Sequence, residues 1–402
     1  MKLVQINCFS GKSTGQIMFN IHRLAEQEGI DSYVVWGRGR NSVDEHEICI
    51  KNKIGMYVDG VATRLTDACG FFSVRATKKL IKELECLQPD IVHLHNLHGY
   101  YINIKMLFEY LKKNDIKVVW TLHDFWSVTG HCAFFECAKC DKWKVQCRNC
   151  IQKKEYPASI FLDRSFKNYI WKKETFCGIQ MQFVTVSKWQ ESIVKQSFLK
   201  GQKIRTIYNG VNTEVFRYTE SNLRKRYKLE GKKVILGVAS DWSQRKGLDD
   251  FILLSKQLSM DYQIVLIGLN NRQIRNCPDN ILAFPKTDCV EDLVKWYSCA
   301  DVYVNATLEE TFGMTTIEAL ACGTPVIVYN STAMPELIHG SHGYVVEKRD
   351  INQIEKILKD NEIYSINREE CMRAAGEYTS YQQCKNYLEL YRALEEENKI
   401  CN

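Results

Sequence analysis

Nine short runs of apolar, largely β-branched residues punctuate the chain: Leu3–Asn7, Ser32–Trp36, Ile91–His95, Val118–Leu122, Phe183–Val186, Val234–Val238, Gln263–Ile267, Val302–Asn305 and Pro325–Val328. Longer stretches with helical spacing separate them. Continuous hydrophobicity, without alternation, marks strands covered on both faces, as in the parallel sheets of doubly wound α/β domains. The number of runs suits two such sheets. The pattern restarts near Lys195–Lys203, ahead of Ile204–Val211, so the expected domains are residues 1–198 and 199–377. The last stretch, 378–402, places Tyr381, Tyr387, Leu388, Leu390, Tyr391 and Leu394 at amphipathic-helix spacing.

Composition agrees with two domains. A chain of 402 residues that is 45% hydrophobic can bury two ordinary cores. No stretch has the run of about 18 apolar residues that a membrane span needs. Met1–Asn7 leads directly into a strand pattern without a signal-peptide apolar region, so a cytoplasmic location is expected. The basic surplus is uneven: 26 Lys and Arg face 19 Asp and Glu up to Glu174, with near balance beyond. Such a surplus favours a phosphate-bearing or membrane-surface partner, or is simply a solvated basic face.

Ligands in open α/β sheets sit outside the carboxyl ends of strands, which directs attention to the residues after each run. Phe9–Ile17 contains Gly11-Lys12-Ser13 but has Ile6 where a phosphate-binding P-loop requires glycine. What survives is a glycine-bracketed turn opening a helix, whose backbone N–H groups can hold a phosphate or an acceptor oxygen. Asp90–His98 carries His93, His95 and His98, and the next run ends in His123-Asp124. Histidines gathered at two strand ends form a polar cluster suited to sugar hydroxyls and protons.

A cysteine cluster follows, within a loop at 130–153. The pairs Cys137/Cys140 and Cys147/Cys150, separated by six residues, have the knuckle spacing of a structural zinc site in a reducing compartment. A closed four-thiolate site leaves no open position for catalysis, so its role would be to pin the loop. In the second half, Ser240–Leu248 sets Arg245 and Lys246 just after a strand, where a nucleotide diphosphate could be gripped. Glu309–Ile327 is the most specific string: Glu310 and Glu318 stand eight apart around Gly313, and carboxylates accept paired hydrogen bonds from diols.

These strings resemble the family-4 retaining glycosyltransferases, which build bacterial capsules, exopolysaccharides and lipopolysaccharides. The resemblance covers nearly the whole chain and is strongest over 204–216 and 300–338. It implies a GT-B architecture, with two doubly wound Rossmann-like domains facing across a cleft and the C-terminal helix crossing back to the first. It implies that Glu310 faces the donor sugar, Glu318 holds the ribose hydroxyls, and Lys246 binds the donor diphosphate of a UDP- or GDP-sugar. Arg245 stands in for an arginine that the family places near Ser240, and Phe312, Gly313, Met314 and Thr315 offer backbone N–H groups. On the same footing, Gly15 turns over the diphosphate and His123 contacts the transferred sugar, while His95, His98 and Arg38 are candidates on the acceptor side. A subgroup with a serine-threonine-glycine turn, a pair like Gly37-Arg38 and a run like Gly130-His131-Cys132 is closer still. That likeness implies Cys132, Cys140, Cys147 and Cys150 as the zinc-like set, with Cys137 as the alternate that spacing alone selects.

The implied reaction is front-face displacement with retention, onto a glycan or lipid-linked glycan. Asp-x-Asp, the divalent-metal signature of the other common glycosyltransferase fold, does not occur in the sequence, so metal-independent transfer is expected. The segment Ile160–Lys173 mixes aromatics with cations and could dock on an anionic bilayer at the inner face of the plasma membrane, or form a buried helix with snorkelling lysines. Two rival functions remain: a GT-B nucleotide-sugar epimerase, and a zinc-containing nucleic-acid-binding protein. The α/β pattern around the cysteines gives the second no support, and no nucleic-acid partner is expected.

Overall fold

The computed structural model describes residues 1–401; Asn402, the last residue of the expected C-terminal helix, and the side chains of Lys12 and 398–401 lie outside the described set. The chain divides into two units, Met1–Tyr208 with Gln383–Asn402, and Asn209–Gln382. The first contains β1 (Lys2–Phe9), α1 (Lys12–Gln27), β2 (Asp31–Arg38), β3 (Glu47–Cys49), α2 (Lys53–Thr66), α3 (Val74–Leu87), β4 (Ile91–Leu94), α4 (Ile104–Lys113) and β5 (Lys117–Leu122). It continues through α5 (Ser165–Cys177), β6 (Gln182–Thr185), α6 (Lys188–Val194) and β7 (Lys203–Thr206). The second holds α7 (Leu223–Arg226), β8 (Lys233–Val238), α8 (Leu248–Gln257), β9 (Tyr262–Ile267), α9 (Asn271–Asn276), β10 (Ile281–Phe284), α10 (Val290–Cys299) and β11 (Val302–Asn305). After these come α11 (Met314–Ala321), β12 (Val326–Tyr329), β13 (Gly343–Val346), α12 (Ile351–Lys359) and α13 (Arg368–Gly376), and then α14 (Ser380–Cys401).

The first sheet has seven strands in the order β3-β2-β1-β4-β5-β6-β7, and the second has six, β10-β9-β8-β11-β12-β13. Every paired strand within them runs parallel. The central strands are buried on both faces: Val4, Ile6, Val92, Val119 and Val184 have no exposed surface, nor have Ile235, Leu236, Val265 and Val302. This explains their uninterrupted apolar runs. The expected join at Lys195–Lys203 falls too early, because β7 pairs with β6 in register from Gln182↔Lys203 to Thr185↔Thr206 and extends the first sheet.

From Gln383 onward α14 belongs to the first unit. Tyr387, Leu388, Tyr391 and Leu394 pack in one cluster with Ile17 and Ile21 of α1 and with Leu3, Val119 and Val184 of the sheet. Their polar tips are matched as well: Tyr387 Oη lies 2.9 Å from Thr121 Oγ1, and Tyr391 Oη lies 2.7 Å from His93 Nδ1.

Candidate active site

In each sheet the strand order reverses at one point, between β1 and β4 in the first and between β8 and β11 in the second. Such switch points open a crevice at the strands' carboxyl ends. The residues singled out in the second unit follow β8 and β11, and those of the first unit lie at or after the ends of β1, β2, β4 and β5, with the cysteines in the loop beyond β5.

In the second unit, β8 runs into Ser240, which is exposed, and then into a 3-10 turn over Gln244–Lys246. β11 delivers Glu309, fully buried, and Glu310 beside that turn. Arg245 Nη1 donates to the Glu309 carbonyl at 2.5 Å, and the Leu308 N–H donates to the Arg245 carbonyl at 2.9 Å, so backbone and side chain lock the two loops together. Lys246 Nζ is ion-paired with Glu310 Oε2, and Arg245 Nη1 lies 3.9 Å from the same oxygen. Burial works against ionising Glu310, but the charges of Lys246 and Arg245 outweigh it and hold the carboxyl below its ordinary value. Two cations thus converge on one carboxylate.

Gly313 heads α11 at φ 104°, in the left-handed region, and a Cβ there would sit 2.7 Å from Met334 Sδ. The glycine therefore permits a sharp turn that brings Met314 and Thr315 into the first helical turn, where backbone N–H groups lack intrahelical acceptors. Phe312 is buried against Tyr378, and Thr315 Oγ1 accepts from Tyr303 Oη at 2.7 Å. One α11 turn further on, Glu318 Oε2 accepts from Tyr297 Oη at 2.9 Å. Burial pushes the Glu318 carboxyl up to about 7, against the opposing hydrogen bond from Tyr297. Glu310 and Glu318 are therefore electrostatically unlike: the first is paired with cations, whereas the second accepts from a hydroxyl.

In the first unit, Gly15 lies in the first turn of α1, and a Cβ would come within 2.7 Å of the Phe9 carbonyl oxygen. Any side chain would push the helix off the end of β1. Asn7 bridges this turn, donating to the Phe9 carbonyl at 2.9 Å and Thr14 Oγ1 at 3.2 Å. The histidines form a chain. Gln5 Nε2 donates to the Met18 carbonyl, which leaves Gln5 Oε1 to accept from His95 Nε2 at 3.3 Å. His95 Nδ1 must then accept, and its partner at 3.1 Å is His123 Nε2. That fixes the His123 tautomer with the proton on Nε2 and the lone pair on Nδ1. Burial lowers the His123 imidazole to about 4, so the ring is neutral near pH 7 and can accept from a hydroxyl.

His95, a candidate on the acceptor side, is 1% exposed, and both its ring nitrogens are engaged within the chain, with Gln5 and His123. His98 Nε2 lies 2.7 Å from Asp124 Oδ2, and its Nδ1 lies 3.2 Å from Tyr156 Oη. Asp124 Oδ1 also accepts from the Trp126 N–H. Burial opposes the charge on Asp124, but His98 and that N–H hold its carboxyl below the ordinary range. Arg38, partly exposed, donates to the Gly99 carbonyl at 3.4 Å and covers the Phe9 ring. Sequence reasoning missed Gln5, Tyr156 and Tyr297, because each acts through a partner more than 20 residues away and no local spacing marks it.

The cysteine loop differs from expectation. Cys132, Cys140, Cys147 and Cys150 line one small cavity with His131 and Trp143, whereas Cys137 is exposed and outside that lining. Among the described residues, however, no group of three or more His, Cys, Asp or Glu side chains is placed to hold a metal ion. The four thiols share that cavity without converging into such a group. Packing holds the loop: Trp143 stacks on Phe135 at 4.8 Å, the Trp143 carbonyl accepts from Tyr169 Oη at 3.0 Å, and His131 Nδ1 lies 2.5 Å from Asp67. Lys172, 1% exposed on α5, donates to the carbonyls of Trp126 and Thr129 at 2.6 and 2.9 Å.

Comparison with known proteins gives the family. The profile of Glycosyltransferase Family 4 matches residues 15–215, half of the chain, and that of Glycosyl transferases group 1 matches 232–360. The chain belongs to glycosyltransferase family 4 and is a glycosyltransferase. The putative colanic acid biosynthesis glycosyl transferase WcaC of Escherichia coli (strain K12) is 25% identical over 98% of this chain and 100% of its own length. The capsular polysaccharide biosynthesis glycosyltransferase CapM of Staphylococcus aureus is 26% identical over 49% of this chain and 57% of its own. Among solved structures, sucrose-phosphate synthase from Thermosynechococcus elongatus matches with a TM-score of 0.71 at 16% identity, over 98% of this chain and 99% of its own. Anabaena HepE in complex with UDP-glucose matches at 0.67 and 12% identity, over 98% and 100%. The two parallel-sheet domains are thus those of the GT-B fold.

Proposed function

We propose that this glycosyltransferase moves a sugar, with retention and without a catalytic metal, from a nucleoside diphosphate donor to a glycan or lipid-linked glycan of a cell-surface polysaccharide. The observation that carries the reading is the Lys246–Glu310–Arg245 cluster at the β8/β11 switch point, with the Gly313-headed turn of α11 beside it. Relatives named for colanic acid and capsule synthesis, and a structural neighbour holding UDP-glucose, point the same way. Lys246 and Arg245 take the diphosphate, Glu318 takes the ribose diol, and Glu310, released from part of its pairing, faces the sugar. The acceptor hydroxyl attacks the anomeric carbon on the face from which the diphosphate departs. The bond to the phosphate oxygen breaks with its electron pair, and the hydroxyl proton passes to that oxygen. No carboxylate nucleophile is needed, so positioning and charge stabilisation supply the catalysis. Neutral His123 contacts and orients the transferred sugar.

Incubating the protein with a panel of UDP- and GDP-sugars and lipid-linked oligosaccharides, with mass spectrometry of products, tests the proposal. Free nucleoside diphosphate should accumulate only when an acceptor is present, and the new linkage should keep the donor's anomeric configuration. Sugar isomerisation without an acceptor would overturn it.

A further inference from the structure

α2 is built inside out. Its buried residues are Asp59, Gly60 and Thr63, and Asp59 is fully buried, accepting from Ser73 Oγ at 2.6 Å and from Thr63 Oγ1 at 3.2 Å. The opposite face carries Ile54, Tyr57, Val58, Val61 and Leu65, which are 80, 74, 55, 40 and 42% exposed. Spacings of three, four, seven and eleven residues from Ile54 put all five within about 100° of arc on a helix of 3.6 residues per turn. Folding normally hides such a stripe; here it is turned to solvent while a carboxylate occupies the protein side.

The stripe continues into a second segment. The Ile160 N–H donates to the Arg64 carbonyl at 2.7 Å and the Leu162 N–H to the Leu65 carbonyl at 3.3 Å, which ties this segment to the end of α2. Ile160, Phe161 and Leu162 are 62, 68 and 54% exposed, and Phe166 at the start of α5 is 47% exposed. The remainder of α5 turns inward, through Asn168, Tyr169, Lys172 and Phe176. Of the segment Ile160–Lys173, then, only the leading part presents apolar side chains outward.

We propose that α2 and residues 160–166 form a docking surface for an anionic phospholipid bilayer. Adjacent apolar residues of this extent on a surface mark an interaction site, and charge selects the partner. Across residues 53–66 and 151–167, Lys53, Arg64, Lys153, Lys154, Arg164 and Lys167 stand against Glu155, Asp163 and the buried Asp59, and Lys53, Arg64, Lys154 and Lys167 are exposed. A second copy meeting this face about a two-fold axis would bring that basic excess against itself, whereas an anionic headgroup layer neutralises it. No described helix is long and apolar enough to cross a membrane, so the contact lies in the interface plane: apolar side chains enter the headgroup boundary and the cations stay among phosphates. The inference does not depend on the donor chemistry proposed above.

The test is sedimentation of the full chain with vesicles of phosphatidylcholine alone or mixed with phosphatidylglycerol. Binding should require phosphatidylglycerol and weaken as salt rises. Phe161→Asp, and separately Tyr57→Asp with Val61→Asp, should each lower partitioning about 10-fold or more, the scale of one aromatic side chain kept out of an apolar phase. Thermal denaturation checks that these variants fold. If they do not, Phe161→Trp decides: the emission of the introduced indole should shift to the blue with phosphatidylglycerol vesicles. Absence of binding, equal binding by folded variants, an unshifted emission of the Phe161→Trp variant, or a concentration-dependent dimer dissolved by the same substitutions would each overturn the proposal.

Discussion

The two switch points solve the same problem, a polar site at the end of a buried sheet, with opposite electrostatics. At β8/β11 the site is ionic: Lys246 and Arg245 converge on Glu310, and the charges hold one another in place until an anion can replace part of the pairing. At β1/β4 the imidazole chain is neutral, with the ionised Asp124 beside it: His93, His95 and His123 are all pushed toward the uncharged form by burial, and hydrogen bonds fix the orientation of His95 and His123. An ionic cluster suits a phosphate whose charge grows as the glycosidic bond breaks. A chain of neutral imidazoles suits a sugar that must be oriented, since it exerts no strong field on the developing oxocarbenium ion.

Breaking the ionic half should cost most. Lys246→Ala removes the cation closest to Glu310 and leaves that carboxylate facing the diphosphate with only Arg245 for compensation. Turnover should fall about 10²–10³-fold, the scale of one lost charge-stabilising group. Steady-state kinetics on the folded variant check this, and turnover within a few-fold of the parent would show that the cluster is structural.

The neutral half should respond differently. His123→Ala should reduce turnover by roughly 10²-fold, the scale of lost positioning, with much less change in donor affinity. Were His123 a core residue only, the substitution would lower the melting temperature and leave turnover per folded molecule near normal. Measuring both on one preparation separates the two cases.

What the sequence disclosed follows the same division between continuous and assembled features. All nine apolar runs correspond to strands, and the four strands they omit, β3, β7, β10 and β13, are the four sheet edges. An edge strand is covered less completely, so its residues need not all be apolar: β7 alternates exposed and half-buried positions, and β13 is mostly half-exposed. Omitting β7 is what drew the expected join too early. The Glu309–Ile327 string was legible because one β11–α11 passage carries Glu310, Gly313 and Glu318 together. The histidines were legible as a cluster, but the part of Gln5 in the chain through His95 to His123 was not, because that chain spans three strands brought together by the sheet order. The stripe on α2 has ordinary amphipathic spacing, and spacing cannot tell which face turns inward.

Within the ionic half, Glu318 allows a smaller and more selective cut. Glu318→Ala should leave the fold intact and weaken nucleotide-sugar binding by about 1.5–3 kcal/mol, the range for hydrogen bonds to a charged acceptor. Calorimetry giving unchanged donor affinity would remove it from the ribose site.

The smallest expected effect is also the most diagnostic, because it has a sign. With its carboxyl raised to about 7, Glu318 is protonated in a large fraction of molecules at pH 6 and mostly ionised at pH 8. A diol donates two hydrogen bonds to a carboxylate but cannot satisfy a carboxylic acid in the same way, so the donor selects the ionised form. Donor affinity should therefore rise with pH, by up to about 10-fold between pH 6 and 8 for a single group titrating near 7, and binding should release a proton. Stability runs the other way. A carboxyl raised in the folded state contributes stability that is complete below its unfolded value and is lost as pH climbs through about 7, so Glu318→Gln should raise the melting temperature at pH 8 more than at pH 5. A nucleotide sugar is the right probe, because its diphosphate is esterified at both ends and does not itself titrate in this window. Affinity that rises in the parent and stays flat in Glu318→Gln assigns the proton to this carboxyl, whereas parallel profiles would place the titrating group elsewhere and leave Glu318 a structural partner of Tyr297.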